Sequence, residues 1–107
     1  MSQESDKSLA IVQQQLKELD LIFEDTMVTL NTVAGGERLA KWRAKTITLL
    51  TDCLGQKAGQ DFARLQPGPS FTNDLVEEFT DLIETFRAPL QTLSKQLTRT
   101  GRQVGGA

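Results

Sequence analysis

Residues 37–54, ERLAKWRAKTITLLTDCL, leave few choices besides a helix packed on more than one side. With Leu39 at zero and about 100° per residue, Leu39, Trp42, Ile47, Leu49, Leu50, Cys53 and Leu54 fall within an arc of roughly 160°. That arc is wider than a single-sided apolar stripe, so the helix should touch two neighbours. Glu37, Lys41, Lys45, Thr48 and Asp52 lie on the other side. Gly35-Gly36 are expected to punctuate its start and Gly55 its end. The stretch holds the only Trp and the only Cys of the chain, and it is the expected middle helix on which the others pack.

One residue breaks the pattern. Arg43 projects onto the apolar arc. A guanidinium there must reach past the core edge or meet a carboxylate, because an unpaired buried charge is too costly. An ion pair with Asp or Glu of another helix is one role for it, and binding of a ligand or partner is the other.

The N-terminal third repeats the helical signal. Leu9, Val12, Leu16, Leu19, Phe23, Leu30 and Val33 follow alternating three- and four-residue steps, with Thr26 in the one polar position. A helix from a cap at Ser5-Asp6 to about Thr32 is expected, roughly 40 Å long. Leu21 and Val28 fall on its opposite side, one heptad apart, and could pair with another chain. A short turn at Val33-Ala34-Gly35-Gly36 makes the first two helices antiparallel neighbours.

After Gly55, QKAGQDFARLQ reads as a short helix with Ala58, Phe62 and Leu65 facing inward, weakened at Gly59 by up to ~1 kcal/mol relative to Ala. Pro67-Gly68-Pro69 then closes off helix. The last helix should begin near Thr72 or Asn73, with Asp74, Glu77 and Glu78 in its first turns where the dipole favours acids. Its stripe is Leu75, Phe79, Leu82, Phe86, Leu90, Leu93 and Leu97, widened by Val76 and Ile83. Pro89 removes a backbone donor and clashes with the carbonyl of Thr85, so a kink or a restart is expected there. The expected fold is thus all-α: an antiparallel bundle of about four helices, the last kinked at Pro89, in one domain over residues 1–100 with a flexible tail over 101–107.

Composition excludes several classes of function. The 107 residues carry no His, which removes the usual general base and metal ligand, and no catalytic constellation can be assembled from what remains. Cys53 sits on the apolar arc with no His to activate it and reads as a structural thiol. Gly35-Gly36 lacks the Lys-Ser/Thr of a phosphate-binding loop. Glu77, Asp81 and Glu84 share one face, but the usual di-metal bundle motif also needs Glu-x-x-His. No catalytic residue, metal site or cofactor is therefore expected. No apolar run is long enough to span a bilayer, the N-terminus lacks signal-peptide regions, and one unpaired Cys fits a reducing cytoplasm.

The net charge of −2 hides blocks of opposite sign. Residues 1–30 carry two Lys against six acids, and residues 37–45 carry four bases against one acid. Residues 74–86 carry five acids and no base, and residues 87–102 carry four bases and no acid. Blocks of this kind steer helix pairing or partner docking. The bases Arg38, Lys41 and Lys45 share one side of the middle helix, and the acidic stripe Glu77/Asp81/Glu84 is a candidate match for them, within the chain or in a partner. They fall short of a nucleic-acid footprint.

The order Leu39, Trp42, Leu49-Leu50, Leu54-Gly55, Phe62 resembles small helical domains at the N-termini of bacterial multidomain proteins, many of them suspected defence or signalling effectors. The likeness covers about a quarter of the chain and rests on core positions. It implies an adaptor-like helical module and carries over no site residue. Two functions follow from these readings. One is a non-enzymatic interaction or oligomerisation module that docks helices through Leu21 and Val28, with a protein partner or itself. The other is a small regulator that binds a ligand or nucleic acid through Arg38, Lys41, Arg43 and Lys45.

Overall fold

The structure is a computed structural model that describes residues 2–68 and 73–106, with side chains described over 6–68 and 73–98. The expected all-α bundle is what it shows. Four helices follow one another: α1 (Ser2–Thr29), α2 (Thr32–Leu54), α3 (Gln56–Ala63) and α4 (Leu75–Gly106). No strand is present among the described residues.

Side-chain contacts fix the directions. Ser8 meets Cys53, Gln15 meets Thr46, Glu18 meets Lys45 and Asp25 meets Arg38, so α2 descends along α1. Asp20 meets Arg87, while Phe79 lies beside Gly35 near Thr26, so α4 also runs antiparallel to α1. The wide arc of α2 is divided as its width demands, between α1 and α3. The hub, however, is α1 as much as α2. Helix α4 packs mainly on α1 and touches α2 only lightly.

The first turn differs from the sequence expectation. Helix α1 stops at Thr29, and Leu30 takes a left-handed conformation (φ 57°) with its N–H donating to Thr26 O at 2.7 Å. Asn31 then caps α2, its side-chain oxygen accepting from Ala34 N–H at 3.1 Å. Val33-Ala34-Gly35-Gly36 is therefore the opening of α2 and not a turn. Gly35 is buried where helices meet: a Cβ there would collide with the Thr26 side chain and lie 3.1 Å from Phe79 Cζ. Its smallness serves close approach rather than chain reversal. Leu30 and Val33, expected on the inward stripe, are exposed for the same reason, since the turn comes before them.

The inward face of α1 also has a different centre. Ser8, Val12, Gln15, Leu19, Ile22 and Thr26 are buried, a frame of four- and three-residue steps interleaved with the expected one. Leu9, Leu16 and Phe23 are half-buried at its side. The polar members of the buried frame are satisfied. Ser8 Oγ donates to Cys53 O (3.3 Å), Gln15 Nε2 to Thr46 Oγ1 (2.8 Å), and Thr26 Oγ1 to Ile22 O (2.7 Å). Helix α1 begins at Ser2, so no cap forms at Ser5-Asp6.

The core is centred on three rings. Trp42 meets Phe62 edge-on at 5.9 Å, Phe86 lies 6.0 Å from Trp42, and Phe62 and Phe86 are 5.6 Å apart. These spacings suit the attraction between ring edges and faces. Trp42 Nε1 donates to Gln15 O at 2.9 Å, and Thr46 Oγ1 donates to Trp42 O at 2.7 Å. Gln15, Thr46 and Trp42 thus tie α1 to α2 through two hydrogen bonds that cross the seam.

Gly55 turns the chain from α2 into α3 at φ 104°, as its position at the helix end requires. Gly59 is buried against α2; a Cβ there would collide with the Thr51 hydroxyl and sit 3.2 Å from Ile47 O. Its helix-weakening effect is offset by this close packing. Helix α3 ends before Pro67, while the Pro69–Thr72 part of the connection and the expected cap at Thr72 lie outside the described residues. Asp74 caps α4, one residue later than the Asn73 expected, by accepting from Val76 N–H at 2.9 Å. Leu75, placed on the inward stripe by its spacing, is exposed at the helix start. Helix α4 continues across Pro89 without restarting and extends to Gly106.

Candidate functional site

The α1–α2 hairpin is covered by α4 on one face. On the other, the two helices leave a groove of about 330 Å³. Its floor is Ile22 and Trp42, both nearly buried. Glu18 and Leu21 of α1 form one wall, and Arg38, Lys41 and Lys45 of α2 form the other. The bases are there because a 3-4 spacing brings residues 38, 41 and 45 to one side of a helix. Leu21 is there because it lies one residue outside the buried frame of α1, and it is 48 % exposed.

Two ion pairs lace the groove. Arg38 Nη1 lies 2.9 Å from Asp25 Oδ2, and Lys45 Nζ lies 3.2 Å from Glu18 Oε1. The first is at least half exposed on both sides and the second on its Lys45 side, so each contributes under about 1 kcal/mol and mainly sets register. Lys41 has no ion-pair partner among the described residues. The match for the basic side of α2 is therefore the acidic side of α1, not the stripe on α4. Glu77 and Asp81 remain exposed on α4. Glu84 pairs with Arg87, which also reaches Asp20 at 2.6 Å. The same Arg87 guanidinium lies 5.8 Å over the Phe23 ring and so pins α4 to α1.

Arg43 stands apart from the groove. Its Nη2 donates to Ala63 O (2.6 Å) and Leu65 O (3.0 Å), and its guanidinium lies 5.1 Å over the Phe86 ring. The carboxylate expected for it is replaced by carbonyls at the end of α3, where a cation meets the negative end of a helix. Its Nε finds no acceptor among the described residues. The four bases grouped by sequence thus divide: Arg38, Lys41 and Lys45 line the groove, and Arg43 holds α3.

Val28 is 85 % exposed, two turns beyond Leu21 on α1. Around the nearby turn, Leu30 and Val33 are exposed too, and Leu75 opens α4 at the same end of the bundle, one turn before the Phe79 that touches Gly35. Sequence spacing missed Leu30 and Val33 as surface residues. The signal for them was Asn31, a cap residue that starts α2 and moves the turn. A second hollow of about 340 Å³ lies between α3 and α4, where Leu65, Pro89 and Leu93 meet the carboxylate of Asp61.

Among the described residues, no three Cys, Asp or Glu side chains gather as a metal site, and no helix is long and apolar enough to cross a membrane. Cys53 is a half-buried free thiol. No protein-family model, curated protein or solved structure matches the chain.

Proposed function

We propose that the protein is a non-enzymatic interaction module that docks a helix in the outer groove of its α1–α2 hairpin. One observation carries this reading. The groove brings the exposed apolar Leu21 together with Arg38, Lys41 and Lys45, over a floor of Ile22 and Trp42. An apolar line between charged walls is what a helix-in-groove contact uses: the apolar anchors supply affinity, and the walls set partner and register. Val28 extends the apolar line along α1. The adaptor-like domains that the segment over residues 39–62 resembles point the same way.

The rival reading, a ligand or nucleic acid on the basic side of α2, has fewer free groups to draw on. Arg38 and Lys45 are held by Asp25 and Glu18, and Arg43 is turned toward carbonyls of α3. Lys41 is left. A single free base gives a shallow salt dependence and little affinity for a phosphate backbone.

The test is Leu21→Glu combined with Val28→Glu, followed by light scattering and by capture of a partner. Both residues are exposed, so helicity by circular dichroism should be unchanged, while association is lost. A double variant that keeps full association sinks the reading. Steep weakening of binding with salt, of the kind phosphate contacts give, would turn attention to nucleic acid instead.

A further inference from the structure

We infer that the occupant of the groove is a second copy of this chain, related by a twofold axis that runs along the groove, parallel to α1 and α2. This rests on the docking reading above and names its partner.

The argument begins with the sign of the two walls. On α1, the side facing out carries Glu18, Glu24 and Asp25 against Lys7 and Lys17. On α2 it carries Arg38, Lys41 and Lys45, with Glu37 and Asp52 on the same side. A twofold axis across the groove would lay acid wall on acid wall and base wall on base wall. An axis along the groove exchanges the walls and leaves height unchanged. Glu18 and Asp25 of one copy then face the heights of Lys45 and Arg38 in the other, because the in-chain pairs show that these residues share heights. The surface is complementary to itself in that one orientation, which is what an isologous contact requires.

Helix direction agrees with charge. Since α2 runs antiparallel to α1 within the chain, the axis along the groove sets α1 against the partner copy's α2, again antiparallel. Every adjacent pair in the resulting four-helix layer is antiparallel, so unlike dipole ends adjoin. Leu21 of each copy lies between the heights of the Glu18–Lys45 and Asp25–Arg38 pairs and faces the other copy's α2, with Val28 two turns further along.

The size is sufficient. The 23 residues of α2 make a face about 35 Å long, and two helices are about 20 Å wide. That gives roughly 700 Å² per copy, close to the ~800 Å² per partner of a stable interface. Lys41, unpaired within the chain, gains the acidic wall of the other copy as its neighbour.

The experiment uses the whole chain and two sets of wall reversals. One variant carries Glu18→Lys with Asp25→Lys, which makes both walls basic. The other carries Arg38→Glu, Lys41→Glu and Lys45→Glu, which makes both walls acidic. Sedimentation equilibrium on the wild type should show a dimer. Each reversed variant alone should raise the dimer Kd at least about tenfold, and an equimolar mixture should restore it to within about threefold. Circular dichroism checks that each variant is folded. If a reversal lowers helicity, the neutral set Glu18→Gln with Asp25→Asn, and Arg38→Gln with Lys45→Gln, takes its place, with weaker loss in the same direction. A wild type that stays monomeric up to millimolar concentration overturns the second copy as occupant while the docking reading stands with another partner. A dimer indifferent to both reversals overturns the groove as its interface. Persistence of the dimer in the Leu21→Glu, Val28→Glu variant as well would remove the docking reading itself.

Discussion

The two faces of the α1–α2 hairpin meet opposite fates. On the inner face, Phe79, Ile83, Phe86 and Leu90 of α4 are buried with Val12, Leu19 and Leu39 of the hairpin. On the outer face, Leu21 stays exposed between the Glu18–Lys45 and Asp25–Arg38 ion pairs, and Val28 beyond them. Both faces belong to the same two helices, and Trp42 reaches both: its ring meets Phe62 and Phe86 and also floors the outer groove. The inner face is completed by the chain. The outer face has the apolar line and charged borders of a helix seam and lacks the second layer.

Substitutions separate the two faces by size of effect. Phe86→Ala strikes the centre of the inner one. It removes contacts to Trp42, to Phe62 and to the Arg43 guanidinium in one step. A loss of about 3–5 kcal/mol is expected, read as a shift of the urea midpoint with little change in slope. A loss below about 1 kcal/mol would mean that the three rings are not a shared core, and the contrast between the faces would fail.

How much of this contrast could be read beforehand follows from what periodicity can see. The bundle, its four helices and the inward rank of Phe79, Phe86 and Leu90 all follow from apolar spacing. So does the outward position of Leu21 and Val28, which lie off the stripe. Periodicity fails where polar residues do core work. Gln15 and Thr46 are buried because they satisfy each other and the Trp42 carbonyl, and nothing in a hydropathy pattern announces that. It fails again at Gly35, where glycine usually signals a turn and here permits contact with Thr26 and Phe79. The groove needed tertiary information. Arg38, Lys41 and Lys45 are visibly on one side of α2, but only the register of α2 on α1 sets them opposite Glu18, Leu21 and Asp25. Arg43 stood out by its place on the apolar arc, but its partners could not be read beforehand, because they are carbonyls, which every residue has.

Gly35→Ala tests the seam between the faces. The added methyl meets the Thr26 side chain, which is itself locked to Ile22 O, and comes within 3.1 Å of Phe79 Cζ. The intrinsic gain of Ala over Gly in a helix is about 1 kcal/mol. Overpacking costs about 1–3 kcal/mol, so a net loss of stability is expected, smaller than for Phe86→Ala. Gly36→Ala is the matched control: no atom lies within 4 Å of its added methyl, so the helix gain should stand alone and raise the Tm. If both variants gain stability alike, Gly35 is not a contact point and α4 has room to move toward the hairpin.

The smallest effect belongs to the outer face. Asp25→Asn removes the carboxylate that Arg38 meets at 2.9 Å, with both groups at least half exposed. The loss of monomer stability should stay under about 1 kcal/mol and shrink further in high salt, where exposed charges are screened. The same change should matter more for association, because it takes one acid from the wall that a docked helix meets. Stability and binding therefore respond in opposite order on the two faces. Phe86→Ala costs folding first and binding only through it, whereas Asp25→Asn leaves the thermal midpoint nearly in place and weakens association. Measuring both quantities on both variants puts the distinction at risk. If Asp25→Asn lowers the midpoint as much as Gly35→Ala, its pair with Arg38 is part of what holds the hairpin together, and the outer groove is structure first.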